Sequence, residues 1–229
     1  MSIPVFIGYD PREPVAFHAC VSSILRHSSQ PVSITALNLP NLAGYTETHT
    51  DGSNQFIYSR FLVPRLCDFQ GHAIFIDGDM IVKGDIAELW EMRDPSMGVQ
   101  VVKHDYKTKQ AKKYLGAKNE DYPRKNWSSV ILWNCAHYPN RDLTPEYVQA
   151  HGGAHLHRFA WLKDDRIGEL PPEWNHLVGE YDHSDSAKLL HYTLGTPCFE
   201  EYERCDHAEE WHQERQIMNS HESLCSAAS

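Results

Sequence analysis

The stretch Ala73-Ile74-Phe75-Ile76-Asp77-Gly78-Asp79-Met80-Ile81-Val82 constrains this chain more than any other. A short apolar run rich in Ile, Phe and Val reads as a buried strand, and here it runs straight into two carboxylates. Ionised carboxylates ending a buried strand are costly to desolvate unless a cation meets them. Side chains alternate along an extended chain, so Asp77 and Asp79 share one face. Gly78 between them predicts room for a bulky ligand. A hard divalent ion with phosphate oxygens suits such a pair, because Mg²⁺ and Mn²⁺ favour one or two carboxylates plus phosphate. The alternative is a plain Asp-Gly turn at a strand end. Turns seldom follow so hydrophobic a strand and then resume apolar, as this one does at Met80.

The composition fits that reading. The formal net charge of −10 argues against a nucleic-acid or anionic-membrane partner. An acidic protein that handles a phosphorylated ligand needs a metal to offset the repulsion. With 229 residues and 41% hydrophobic side chains, residues 1–229 can form one domain with a sizeable core. No stretch of about 18 apolar residues occurs, so no membrane span is expected. Met1-Ser2-Ile3-Pro4 leads directly into a strand without a signal peptide, which predicts a cytoplasmic protein. The six cysteines are scattered with no CxxC pair, predicting reduced thiols rather than a zinc site or disulfide framework.

Taken in order, Val5 to Asp10 reads as a first buried strand, Phe17, Val21, Ile24 and Leu25 as one face of a helix, and Ser33 to Leu39 as a second strand. A β-α-β start implies a parallel sheet with ligands at the carboxyl ends of its strands, where Tyr9 and Asp10 lie. Gln55 to Phe69 predicts a helix bent at Pro64. Asp85-Ile86-Ala87-Glu88 has the form of a capping box. Met97 to Lys103 and Ser128 to Asn134 predict strands, and residues 106–126 between them a long loop or lid facing the acceptor. Thr144-Pro145 marks a helix start. His151, His155 and His157 lack a neighbouring carboxylate and read as solvated. A short helix is predicted over Arg158 to Arg166, a rigid loop over Leu170 to Asn175 and a late strand over Ala187 to Leu194. The tail from about residue 206 is expected to be helical from Ala208 and frayed after Ser223.

Tyr58-x-Arg60, Asp77-Gly78-Asp79, Leu170-Pro171-Pro172-Glu173-Trp174-Asn175 and His191-Tyr192-Thr193-Leu194-Gly195 occur in that order. Together they resemble the retaining glycosyltransferases of the glycogenin and bacterial galactosyltransferase type, family 8. The resemblance covers roughly residues 3–199. It implies a GT-A-like α/β fold, with a Rossmann-like nucleotide-binding half and a mixed central sheet. It implies transfer of a hexose with retention, from a nucleotide sugar, expected here to be UDP-linked, to a sugar, lipid or protein acceptor. By resemblance Asp77, Asp79 and His191 hold Mn²⁺, with Mg²⁺ as the alternative; two oxygens and an imidazole suit Mn²⁺ independently. Donor contacts fall by the same route to Gly8, Tyr9, Asp10, Arg60, Asp77, Gly78, Lys103, His104 and Gly195. Asp105, Asp164 and Asp165 are candidate catalytic carboxylates, with Glu180 a fourth.

Three departures stand out. Cys198 occupies the place of the family's diphosphate-binding lysine, so Arg60 or Lys103 would have to help the metal there. Ala160-Trp161 stands about where an Asp-Gln pair is expected. Asn126 lies one residue further from Ser128-Ser129 than usual. A haloacid dehalogenase-type phosphatase is the first rival, because it too runs an apolar strand into D-x-D, and Lys163-Asp164-Asp165 would complete its site. A catalytically inactive sugar-nucleotide-binding protein is the second, motivated by the missing lysine.

Overall fold

The computed structural model describes residues 2–113 and 116–219. The predicted frayed end after Ser223 lies outside the described residues. The strands are β1 (Ile3–Gly8), β2 (Val32–Leu37), β3 (His72–Ile76), β4 (Met80–Val82), β5 (Val99–Val101), β6 (Lys112–Lys113), β7 (Ala117–Lys118), β8 (Val130–Asn134), β9 (Ile167–Glu169), β10 (His176–Leu177) and β11 (Leu189–His191). The α-helices are α1 (Pro14–His27), α2 (Val63–Leu66), α3 (Ile86–Glu91), α4 (Pro145–Ala150), α5 (Gly153–Leu156) and α6 (Ala208–Asn219). The main sheet runs β2-β1-β3-β8-β5-β9. Only β8 opposes its neighbours, β3 and β5, so the sheet is mixed as expected.

Alternation along β3 decides the layers. Phe75 points to a cluster with Phe56, Phe61, Val101 and Trp133. Ile74 and Ile76 point to the other face, against Cys20 and Ile24 of α1 and Ile86 and Leu89 of α3. In α1 the buried residues Ala16, Ala19, Cys20, Ser23 and Ile24 repeat at helical spacing and form that face. Ser23 Oγ also accepts a 3.0 Å bond from the Val82 amide, tying α1 to β4.

A second sheet, β10-β11-β4, carries the chain's late segment back to the first carboxylate strand. Within it β11 runs antiparallel to β4, with His191 opposite Met80. The Tyr192 amide donates to the Asp79 carbonyl at 3.0 Å. Helix α6 docks on α1 through Glu214, whose buried carboxylate receives Ser22 Oγ at 2.7 Å and Arg26 Nη2 at 2.5 Å.

Several elements are shorter than predicted. The Gln55–Phe69 helix is a 3₁₀ turn over Ser59–Leu62 followed by the one-turn α2, with Asp68 and Phe69 in the left-handed region. Arg158–Arg166 holds only a 3₁₀ turn at Asp164–Arg166, because Phe159 also has positive φ. The late strand contracts to Leu189–His191. Asp85 does cap α3, accepting from the Ala87 amide at 2.9 Å, but Glu88 receives Lys188 Nζ instead of reaching back to the cap. The predicted lid over 106–126 contains the β6–β7 hairpin.

Candidate active site

The carboxyl ends of β1, β3 and β5 lie along one edge of the main sheet, and Asp77 leaves β3 there. Its amide donates to the Ser129 carbonyl at 3.0 Å, which fixes it beside the start of β8. Gly78 is needed for a reason other than ligand access: a Cβ there would stand 2.2 Å from the Gly8 carbonyl oxygen. The glycine lets the Asp-Gly-Asp turn lie against the end of β1. Gly8 is itself packed under Phe56, again leaving no space for a side chain.

The β4–β11 ladder brings His191 to this turn. Its Nε2 lies 3.6 Å from Asp79 Oδ1 and 3.9 Å from Asp77 Oδ2. The three residues offer ligand atoms all within 4.8 Å of one another. A chain of hydrogen bonds sets the imidazole's tautomer. Ser129 Oγ donates to the Asn126 carbonyl at 2.7 Å and therefore accepts Asn175 Nδ2 at 2.8 Å. That orients the Asn175 amide with Oδ1 toward His191 Nδ1, 3.1 Å away, so Nδ1 carries the proton. Nε2 is left with its lone pair facing the two aspartates. A proton-bearing nitrogen held by a side-chain carbonyl and a bare nitrogen facing carboxylates is the arrangement a metal-binding histidine requires. Asp79 Oδ1 is buried with no hydrogen-bond donor, and with Asp77 and His191 it forms a set that could hold a cation.

Positive charge flanks the pair. Arg60 Nη1 is 2.6 Å from Asp77 Oδ1, out of line for a hydrogen bond, and instead donates to the Ser128 carbonyl at 2.8 Å. The guanidinium lies over the Phe75 ring, 4.9 Å from its centroid. Burial raises the Asp77 carboxyl to about 6; Arg60 pulls against this, and Asp79 adds to it. Lys113, on the β6 strand of the hairpin, enters the same cleft. Burial lowers its pKa, with the charges of Asp79 and Asp77 opposing the fall. His157 closes another wall, its Nδ1 2.6 Å from Ser128 Oγ, and burial holds it neutral. Between these groups the cavity measures 60 Å³, room for about two waters at ~30 Å³ each. A neighbouring hollow of 550 Å³ shares Lys113, Tyr122 and His157 with it. A still larger one, 590 Å³, lies behind residues 39–58, lined by Tyr45 and a paired Glu47 and His49 and by neither aspartate.

The other sequence candidates fall in different places. Gly195 shares a small hollow with Asp79, Lys113 and Glu13. Tyr9 packs edge-on against Phe17. Asp10 is buried and already engaged: it receives the Arg12 amide and guanidinium and, at 3.2 Å, the Gln55 amide. Burial works against ionisation there, but those Arg12 and Gln55 contacts hold its pKa below the usual value. Since Arg12 also donates to the Ser53 carbonyl, Asp10 fastens the cleft wall at 53–55 rather than offering a free acceptor. His104 is buried, with Nδ1 2.8 Å from Tyr181 Oη, and desolvation pushes its pKa down to about 3. Lys103 stands 5.9 Å from the Trp127 ring centroid.

The candidate carboxylates are not brought to the Asp77, Asp79 and His191 cluster. Asp105 is exposed. Asp164 and Asp165 sit in the turn that enters β9, at the opposite end of the parallel strands from Asp77. Both are exposed, Asp164 paired with Arg124 at 2.6 Å and Asp165 3.8 Å from Arg166. Glu180 is buried and spends both oxygens on the hairpin, receiving the Lys109 amide and Asn119 Nδ2, each at 2.7 Å. The placement of Lys163-Asp164-Asp165 also removes the constellation that the phosphatase alternative needs.

Lys113 and Glu13 are cleft residues that sequence reading passed over, and His157, read there as solvated, instead lines the cleft out of water. Lys113 gave no signal beyond a lysine-rich loop without period. Glu13 precedes α1 yet makes no capping bond; its carboxyl turns toward Thr196 Oγ1, at 3.4 Å. Burial, then the negative charges of Asp79 and Asp10, raise it to about 8.

Comparison with known proteins adds to this geometry. The profile described as "Glycosyl transferase family 8" matches residues 23–196. "Protein CDI" of Arabidopsis thaliana is 42% identical over 224 residues, covering 94% of this chain and 86% of that protein. The apo structure of the WbbM bifunctional glycosyltransferase superposes with a TM-score of 0.66 at 19% identity over 93% of this chain. The chain spans 49% of that structure's length, about half. The galactosyltransferase LgtC, solved with donor and acceptor sugar analogues, gives 0.59 at 12% identity, covering 94% of this chain and 96% of that one. The fold is that of the GT-A glycosyltransferases.

Proposed function

Because the chain belongs to glycosyl transferase family 8, we propose that it transfers a hexose from a UDP-linked donor to a sugar, lipid or protein acceptor. In this reading a divalent cation, Mn²⁺ or Mg²⁺, is held by Asp77, Asp79 and His191, and the protein works in the cytoplasm. The observation that carries the reading is the bare Nε2 of His191, aimed at two carboxylates and fixed by Asn175. The LgtC structure, with its donor and acceptor sugar analogues, supports the donor class.

Charge explains why a metal would be needed. Asp77 and Asp79 are balanced by Arg60 and Lys113, so the four side chains sum to about zero and do not attract a diphosphate. A divalent ion makes the site net positive and supplies Lewis-acid stabilisation to the departing diphosphate. Arg60 is held by Ser128 and Phe75 and keeps Asp77 in place for the ion. Lys113 fills the role of the lysine replaced by Cys198, because it stands in the cleft beside Asp77 and Asp79. A pocket for a nucleotide sugar takes about 300 Å³ or more. The 60 Å³ cleft and its 550 Å³ neighbour share Lys113, Tyr122 and His157, so in this reading the two together seat the donor.

None of Asp105, Asp164 and Asp165 lines this cleft, and Glu180 is committed to the hairpin. This favours departure and attack on one face of the sugar over a covalent glycosyl intermediate, with retention in either case. Thermal shift with UDP is the first test. Stabilisation is expected with Mn²⁺ and should largely vanish with EDTA; equal shifts in both would remove the metal assignment. NMR of the fresh product from a donor panel would give the anomer, and an inverted product would refute the retaining reading.

A further inference from the structure

A second cluster of metal-ligating side chains lies one strand away from the first. His176, Asp206 and His207 offer one ligand atom each, all within 4.8 Å of one another. His176 belongs to β10, and the other two immediately precede α6. Both imidazoles are more than nine-tenths buried, at 6% and 5% exposure, and the Nε2 atom of each has no hydrogen-bond partner. Two buried, unsatisfied imidazole nitrogens in a group of three ligands cost stability unless something occupies the space between them.

The surrounding contacts orient the cluster toward a cation. His207 Nδ1 donates to Glu210 Oε1 at 2.8 Å, which leaves the lone pair on Nε2, 3.7 Å from Asp206 Oδ2. Glu210 is in turn held by Lys83 Nζ at 3.1 Å. The other oxygen of Asp206 accepts His183 Nδ1–H at 2.7 Å, and the His183 ring stacks on His207 with centroids 4.2 Å apart. The Tyr192 hydroxyl donates to the His207 carbonyl at 2.7 Å and pins the backbone. His207 and Asp206 thus each have an outer partner that fixes their direction, as metal-binding imidazoles and carboxylates generally do, while His176 is placed by its strand, β10.

We propose that His176, His207 and Asp206 bind a Zn²⁺ ion that fastens the start of α6 to the β10-β11-β4 sheet. Two imidazole nitrogens and one carboxylate suit Zn²⁺, with a water as fourth ligand on the open side, where Asp206 is 34% exposed. The set is richer in nitrogen than the Asp77, Asp79 and His191 cluster, so the two sites separate by ligand chemistry: borderline Zn²⁺ here, harder Mn²⁺ or Mg²⁺ there. The ion's place is structural, since none of its ligands lines the cleft that holds the aspartates.

The test uses the full chain, stripped with chelator and titrated with Zn²⁺ alone against a chromophoric competitor. Wild type and Asp77→Asn/Asp79→Asn should share one Zn²⁺ site of the same affinity, any second Zn²⁺ taken up by the aspartate site being confined to wild type. Asp206→Asn/His207→Gln should lose at least about 100-fold, and Zn²⁺ should no longer raise its Tm. Should that double variant fail to fold, His183→Ala, a change at a half-exposed ring, should weaken Zn²⁺ by roughly 10-fold or more through its hold on Asp206. Anomalous scattering at the zinc edge should place the ion between His176 and His207. Unchanged Zn²⁺ affinity in the variants of this cluster, or loss of all Zn²⁺ binding in Asp77→Asn/Asp79→Asn, overturns the proposal.

Discussion

Asn175 Oδ1 accepts the Nδ1 proton of His191 at 3.1 Å, and by doing so determines which ring nitrogen faces Asp77 and Asp79. Asn175 is fully buried and itself held by Ser129, so it would act on the proposed metal only through His191. Asn175→Ala should therefore weaken Mn²⁺ binding in the presence of UDP by about 10–100-fold, the usual cost of removing such a partner. Isothermal titration would measure it. Wild-type affinity in the variant would mean that the imidazole is oriented by something else.

Proton competition should be visible in the metal affinity. Asp77, raised to about 6, must be ionised to bind, and His191 must be neutral. Apparent Mn²⁺ affinity should hold at neutral pH and fall as pH drops through about 6. In His191→Ala it should already be weak at pH 7.5, leaving a shallower dependence. Titrations at four or five pH values would show whether the two profiles differ.

Lys113→Gln should lower turnover by about 10–100-fold, because a cation placed to meet a departing diphosphate acts mainly in the transition state. Metal affinity should not fall, since the change removes a positive charge from beside the carboxylates. A variant that loses metal and turnover in parallel would point instead to a disturbed hairpin. Single-turnover kinetics beside a direct Mn²⁺ titration separates the two.

Glu13 links stability to pH in the metal-free protein. Its folded pKa of about 8 stands above the unfolded value, so the neutral carboxyl stabilises the fold at low pH. That contribution is complete below the unfolded pKa and disappears as pH rises through about 8. Glu13→Gln should match wild type near pH 4 and exceed it at pH 8.5 by on the order of 1–3 kcal/mol. Urea unfolding at both pH values, with EDTA present, measures the difference.

The sequence disclosed the parts of this site that have local signatures. The apolar run ending in Asp77-Gly78-Asp79 announced its strand by composition, and Asp85 its helix by capping chemistry. His191 came from motif order, since a lone histidine in a late strand carries no local mark of ligation. The long helices predicted over Gln55–Phe69 and Arg158–Arg166 failed because apolar spacing does not report left-handed residues such as Asp68, Phe69 and Phe159. Asp164 and Asp165 looked catalytic by charge alone; only strand direction shows that they enter β9 at its far end. Asp10 seemed available because sequence does not show that Arg12 folds back on it. Lys113 and Glu13 owe their positions to tertiary packing, which no periodicity encodes. His176 was hidden by separation from Asp206 and His207.

The ladder that sets His191 opposite Met80 has a further meaning for how the protein is made. Asp77 and Asp79 leave the ribosome long before His191, and Asn175 emerges between them. Until β11 has been synthesised and has paired with β4, the two carboxylates have neither imidazole nor its orienting amide, and a growing chain lacks the complete three-residue cluster. Pairing of strands so far apart in sequence is a late, slow event, because a long loop must close before the contact is rewarded. If Asp77, Asp79 and His191 hold an ion as proposed, metal binding there would report completion of the whole fold.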